Sequence, residues 1–470
     1  MRGKQKADWR RTMSIDYSRL PRHEVVVDVS AEQGPLEVWR QTLGHGGINA
    51  RPLPPRVVEG ARKLRPRLIR IFLQEHFAIY PGRGRFDWST LDPFLEALAQ
   101  TGAKVVAAIC LKPPLLFPRV DQSLWRPTDW AEWQHVIREL VKRYSVEKPI
   151  VTHWEVGNET DIGEMGGCPY LISDPKEYGE YYSQTIQPVL EAFPTAKVGG
   201  PASCLVTNEP LPGLIEYCKT TGTQLDFISW HCYHDSPDHH AAGVQKARQL
   251  LADFPGTRPE LLVTEWNKMF DPVSSEDLAF APRRAANVAA CLLAMLEAGL
   301  DWSFYYHLWD QTFYRQPFAS FFSEHGLEAM EEHWNRVPHR FGLFGVSGEV
   351  RPQYFVYWML SRLDEMRLAV TCGDAALRVL AARGEGKVSA FVANFDLQQS
   401  RDLLLTLRLP HLQPGVKTLR IYRLDDARRW DEETLEMRPL EEREVDTSEE
   451  YRCSLYCPAD SVVLVELEDQ

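Results

Sequence analysis

The chain has 470 residues, of which 44% are hydrophobic and 25% charged. This is the balance of a folded globular protein and excludes a disordered or fibrous chain; the length points to one large domain plus a smaller one. The formal net charge is -12, from 53 Lys and Arg against 65 Asp and Glu. No basic run is interleaved with aromatics, so a nucleic-acid partner is excluded and a neutral substrate fits.

In chain order, the opening stretch MRGKQKADWRRTMS is basic but lacks the apolar segment of ~7 to 15 residues that a signal peptide needs. No later run reaches the ~18 apolar residues of a membrane span, so no membrane partner is expected. Nine cysteines, odd in number and irregular in spacing, read as reduced thiols and hence a cytoplasmic protein. EVVVDVS (Glu24 to Ser30) is the earliest strand signal. Eight further strand signals alternate with helical patterns: TLGHGGIN from Thr42, LIRIFLQ from Leu68, KVVAAIC from Lys104, VTHWEVGNE from Val151, AKVGGPA from Ala196, DFISWHCY from Asp226, LLVTEWN from Leu261 and DWSFYYHL from Asp301. Between them, Asp174 with Pro175 and Glu177 predicts a capped helix start.

Eight βα units are the number that closes a parallel barrel. The expectation is an α/β fold, a (β/α)8 TIM barrel over 31–365. After a helix near Tyr354 to Leu363 the runs LRVLAARGEGKVSAFVANF, LLLTLRL, TLRIYRL and SVVLVEL predict an accessory antiparallel β-sandwich over 366–470, joined by the strand within 1–30.

Cleaving a glycosidic bond takes one carboxylic acid to protonate the leaving oxygen and one carboxylate to attack or to activate water. Glu159 closes the fourth barrel strand signal and Glu265 the seventh, at the face where barrel enzymes carry their sites. A lone strand-end Glu more often caps a helix or is solvated. Here both follow strongly apolar leads, and strands four and seven face each other across a barrel mouth. Asn158 precedes one Glu; Trp266 and Asn267 follow the other.

WEVGNE, VGGPA, DFISWHCY, VTEWN and FGLFGVSGEVRPQYFVYWML, in this order, resemble glycoside hydrolase family 39, the group of β-xylosidases and α-L-iduronidases, in the clan of retaining (β/α)8 glycosidases. The resemblance spans most of residues 40 to 363. It implies Glu159 as acid/base, Glu265 as nucleophile, Asn158 on the sugar 2-hydroxyl, His231 and Tyr233 in the same subsite, a covalent glycosyl-enzyme intermediate, and no metal or organic cofactor. The chain departs from the family where Thr160 and Asp161 follow Asn-Glu in place of proline. Tyr233 stands where iduronidases carry a lysine for the uronate, so a neutral sugar is favoured. In LIRIFLQEHF the sugar contact falls to Gln74 or His76. Trp309, at the end of the eighth strand signal, reads as a sugar platform or as core, and Trp266 as a further binding residue.

HCYHDSPDHH packs four histidines into ten residues, but its spacing matches no structural zinc pattern, and His231 and His234 cannot share a strand face. The expected substrate is an oligosaccharide or glycoside, β-xyloside first, then β-glucoside or β-galactoside. An endo-acting glycanase of the same clan and a non-catalytic carbohydrate-binding barrel stay open, and a homo-oligomer is compatible with the sequence.

Overall fold

A computed structural model describes residues 16–269 and 280–470; the basic opening stretch lies outside the described residues. Strand β1 (Arg22–Pro35) is followed by eight parallel strands that close on themselves: β2 (Gln41–His45), β3 (Leu68–Gln74), β4 (Lys104–Cys110), β5 (Val151–Val156), β6 (Lys197–Ser203), β7 (Phe227–Tyr233), β8 (Glu260–Asn267) and β9 (Trp302–Tyr306). The expected barrel is therefore present. Several strands stop earlier than read from the sequence, because glycines turn the backbone out of the extended region: Gly47 has φ 73° and Gly157 φ 84°.

Alternation along the strands sorts the barrel interior into levels. Leu68, Val106, Phe227, Leu262, Trp302 and Phe304 pack together at the start of the strands, with Trp39 against them. Above this plug the same faces turn polar, with Arg70 on β3, Ser229 and His231 on β7 and Glu265 on β8, all buried. The helices outside complete the apolar core. The one at Pro175–Ala192 starts as predicted: the Asp174 carboxylate accepts from the amides of Lys176 and Glu177, with Pro175 in the first turn.

The terminal strands form one nine-stranded sheet in the order Glu441–Thr447, Gly415–Leu424, Ser461–Asp469, Lys387–Asn394, Leu377–Gly384, Met366–Cys372, β1, Leu403–Pro410, Glu450–Cys457. All neighbours are antiparallel except β1 and Leu403–Pro410, which run parallel, with Val25 beside Leu407. This refines the antiparallel reading. The sheet's apolar core draws on both its ends, from Val25 and Val27 to Leu419, Leu455 and Val465. In β1 the sheet runs on to Pro35, beyond the limit expected at 30. Helix Pro282–Glu297 lies across three of its strands, and the buried Glu466 takes Arg362 and Lys387 as counter-ions at 2.7 and 2.9 Å. Among the described residues no helix is long and apolar enough to cross a membrane.

Candidate active site

Glu159 lies three residues past the end of β5, not on the strand. Its φ of 45° is a left-handed conformation unusual for a residue with a side chain. Hydrogen bonds hold it there: its amide donates to the Ala202 carbonyl at 2.8 Å, and its carbonyl accepts from the amides of Ile162 and Gly163 at 3.0 and 2.8 Å. Glu265 lies within β8, two positions before its end. Register irregularities at Trp230/His231 and Val263/Trp266 flank it and aim both His231 and Glu265 inward.

A histidine sits between the two carboxyls. His231 Nδ1 is 2.8 Å from Glu159 Oε1 and 3.6 Å from Glu265 Oε2, and the contacting atoms of all three lie within 4.8 Å of one another. The Tyr233 hydroxyl donates to Glu265 Oε2 at 2.5 Å. Beneath them the Arg70 guanidinium donates to Glu265 Oε1 at 2.6 Å, to Glu155 Oε2 at 2.7 Å and to Asn158 Oδ1 at 2.7 Å. The Asn158 amide is fixed at its other end by the Gly166 carbonyl at 3.0 Å.

Burial pushes the Glu159 carboxyl up to about 8, and the neighbouring Asp161 carboxylate adds to the push while Arg70 opposes it. Glu265 is also raised by burial, but His231, Arg70 and the Tyr233 hydroxyl all pull against this. Of the two, Glu265 is the better stabilised as an anion. Burial lowers His231 to about 4, with the Glu265 carboxylate opposing the shift. Asp161 thus acquires a function in geometry: it accepts from Cys204 and Asn208 and places a negative charge beside Glu159.

A cavity of about 350 Å³ opens above the pair, lined by Gln74, Tyr233 and Tyr306, and toward its rim by Ile162, Met165, Leu205, Met330 and Trp334. Glu159, Glu265, Asn158, His231 and Tyr233 therefore come together, and of Gln74 and His76 it is Gln74, at the end of β3, that reaches the cavity. His76 does not: it lies in the turn after β3, its ring stacked on Phe318 at 5.0 Å. Trp266 is a correction too. Adjacent to the inward Glu265, it must point outward, and it packs edge-on to His240 and Tyr305. Trp309 stacks on His45 and lines a separate surface depression beside Pro52 and Val346, so it is no platform at the glutamates.

Arg70, Glu155, Tyr306, Met330, Trp334 and His339 were missed by sequence reasoning. Arg70 had a signal, since a charge within the apolar run LIRIFLQ must be paired once buried. The cluster HCYHDSPDHH does not converge: His231 faces Glu159, while His240 contacts the His234 carbonyl and His239 stacks on His234. A second close group is His307, Asp310 and His339. There the Arg351 guanidinium and the Gly342 amide already take the two Asp310 oxygens, at 2.6 and 2.8 Å.

Residues 69–429 match the family model described as glycosyl hydrolases family 39. The chain belongs to this family. It is 22% identical over 339 residues to a β-xylosidase of Caldicellulosiruptor saccharolyticus, covering 67% of this chain and 65% of that protein. To a β-xylosidase of Geobacillus stearothermophilus it is 23% identical over 310 residues, covering 60% and 55%. The chain thus spans less than two thirds of the length of these two relatives. The solved structure of a monomeric β-xylosidase from Caulobacter crescentus CB15 superposes with a TM-score of 0.73 at 21% identity, over 95% of this chain and 99% of that one, a likeness of fold.

Proposed function

We propose that the protein is an exo-acting, retaining glycoside hydrolase for neutral-sugar glycosides, β-xylosides first and β-glucosides or β-galactosides next, acting through a covalent glycosyl-enzyme intermediate. The observation that carries this reading is the closeness of the two carboxyls, with one oxygen of Glu159 and one of Glu265 within 4.8 Å. Retaining enzymes hold their pair at about 5–5.5 Å, whereas inverting ones leave room for a water at about 6.5–9.5 Å. Glu265, anionic against Arg70 and Tyr233, attacks the anomeric carbon. Glu159, protonated at neutral pH, gives its proton to the leaving oxygen and then, as carboxylate, takes one from the water that releases the sugar. In this reading Asn158, which Arg70 and Gly166 hold, binds the sugar 2-hydroxyl, with His231 and Tyr233 in the same subsite.

The cavity volume, at the low end for ligand pockets, supports action at a chain end over an open groove. A neutral sugar is supported by the lining, which among the described residues holds no lysine or arginine.

A nitrophenyl glycoside panel, with the anomer of the first product read by NMR, tests this: retention is expected, and inversion or no cleavage of any member overturns it. Glu265→Ala should abolish turnover with the fold intact. Glu159→Ala should still form the intermediate from substrates with good leaving groups, and azide should restore turnover as the glycosyl azide of retained configuration.

A further inference from the structure

The leaving group occupies the space on the Glu159 side, since Glu159 must reach the departing oxygen. The walls there are mostly apolar, with Cys204 and Gln74, the latter bonded to the Gly167 carbonyl, the polar side chains among them. Gly166 lies directly against the carboxyl, where a Cβ would fall 2.1 Å from Glu159 Oε2. Flanking it along the chain, Ile162 and Met165 line the cavity, and from the neighbouring loop after β6 comes Leu205. Met330 forms another wall, its sulfur facing Gly167. None of these apolar side chains can bond to a sugar hydroxyl more strongly than a thioether does.

Met165 and Leu205 are 47% and 45% exposed although they border the site. Large apolar side chains left open to water around a cavity mark contact with an apolar ligand, and methionines adapt to irregular shapes. A second sugar placed here would find few polar side chains for its hydroxyls, which is unfavourable.

Building on the proposed glycosidase, we infer that this side of the cavity is a binding site for an uncharged, apolar aglycone, an aryl, alkyl or alicyclic alcohol, and that Met165 and Leu205 set this preference. The preferred substrate class is then the glycoside of such an alcohol, ahead of an oligosaccharide cleaved at its chain end.

The test compares kcat/KM for the methyl and hexyl glycosides of the sugar chosen by the nitrophenyl panel, and for the corresponding disaccharide. Methanol and hexanol are leaving groups of similar acidity, so their ratio reports binding of the extra methylenes. A hexyl advantage of about tenfold or more is expected from partial burial of those methylenes, with the disaccharide below hexyl. In Leu205→Asn and Met165→Gln the hexyl-to-methyl ratio should fall toward unity. A ratio near unity in the parent protein, or a disaccharide preferred to hexyl, overturns the aglycone site while leaving the hydrolase intact. Failure to cleave any glycoside of the panel overturns both.

Discussion

Replacing Arg70 with methionine removes the guanidinium that Glu155 and Glu265 share and that also holds Asn158. Glu155 is wholly buried and cannot turn to water instead, while Glu265 would keep only the Tyr233 hydroxyl and His231 beside it. Deleting one partner of a buried ion pair costs about 3–5 kcal/mol. With two carboxylates and an amide left behind, the upper end, about 5 kcal/mol, is expected in urea unfolding followed by circular dichroism. The pH profile of kcat/KM should change as well. Arg70 pulls the Glu265 carboxyl down against its burial; without it, the protonated form persists to higher pH, and the acid limb of the profile moves upward. Arg70→Lys keeps the charge but loses the planar fork that spans three acceptors. It should recover part of the stability and little of kcat. An Arg70→Met protein within about 1 kcal/mol of the parent, with its acid limb unmoved, would refute the reasoning, because the three bonds would then be of little energetic consequence.

In the parent protein kcat/KM should fall as pH rises through about 8, where Glu159 loses the proton it must donate. Asp161→Asn removes a charge that raises Glu159, so the alkaline limb should move to lower pH; an unmoved limb would show that Asp161 does not act on Glu159. Tyr233→Phe deletes the hydroxyl on Glu265 and should lower kcat/KM about ten- to hundredfold, the value of a hydrogen bond to a charged group. Trp266→Ala should cost about 3–5 kcal/mol of stability, as for other large core truncations. Its KM should match the parent's, since Trp266 lies outside the cavity; a raised KM would return it to the site.

The barrel was legible because its strands are apolar, short and eight in number, and two glutamates stand out against such leads. Their local settings were not. Glu159 was read as the end of a strand, whereas Gly157 ends the strand early and the glutamate is held in a left-handed turn, a tertiary outcome that periodicity does not carry. Trp266 and Trp309 attracted attention as aromatics near the chemistry. A strand's period of two sends the first outward, and the path of the chain after β9 takes the second to another depression. Met330 and Trp334 lie on the helical segment Glu324–Arg336 and His339 just beyond it; only the folded path of the chain after β9 brings them to the cavity. Arg70 was visible as an oddity in LIRIFLQ, but which carboxylates it serves depends on inter-strand register.

The parallel seating of β1 between Met366–Cys372 and Leu403–Pro410 constrains the order in which the protein can assemble during synthesis. Val25 waits for Leu407, so the barrel is fully translated before this strand finds either neighbour, and the closure spans a very large loop. Until then the valines of β1 are exposed and able to pair with other strands, a hazard for chaperones to manage. A protein begun at Gln41 would keep every barrel strand yet strip the sheet of a central member, leaving two apolar edges open to association. Because this cut also removes Trp39 from beneath the barrel plug, both the sheet edges and the foot of the barrel should limit solubility on truncation, while the strand ends that carry the glutamates remain.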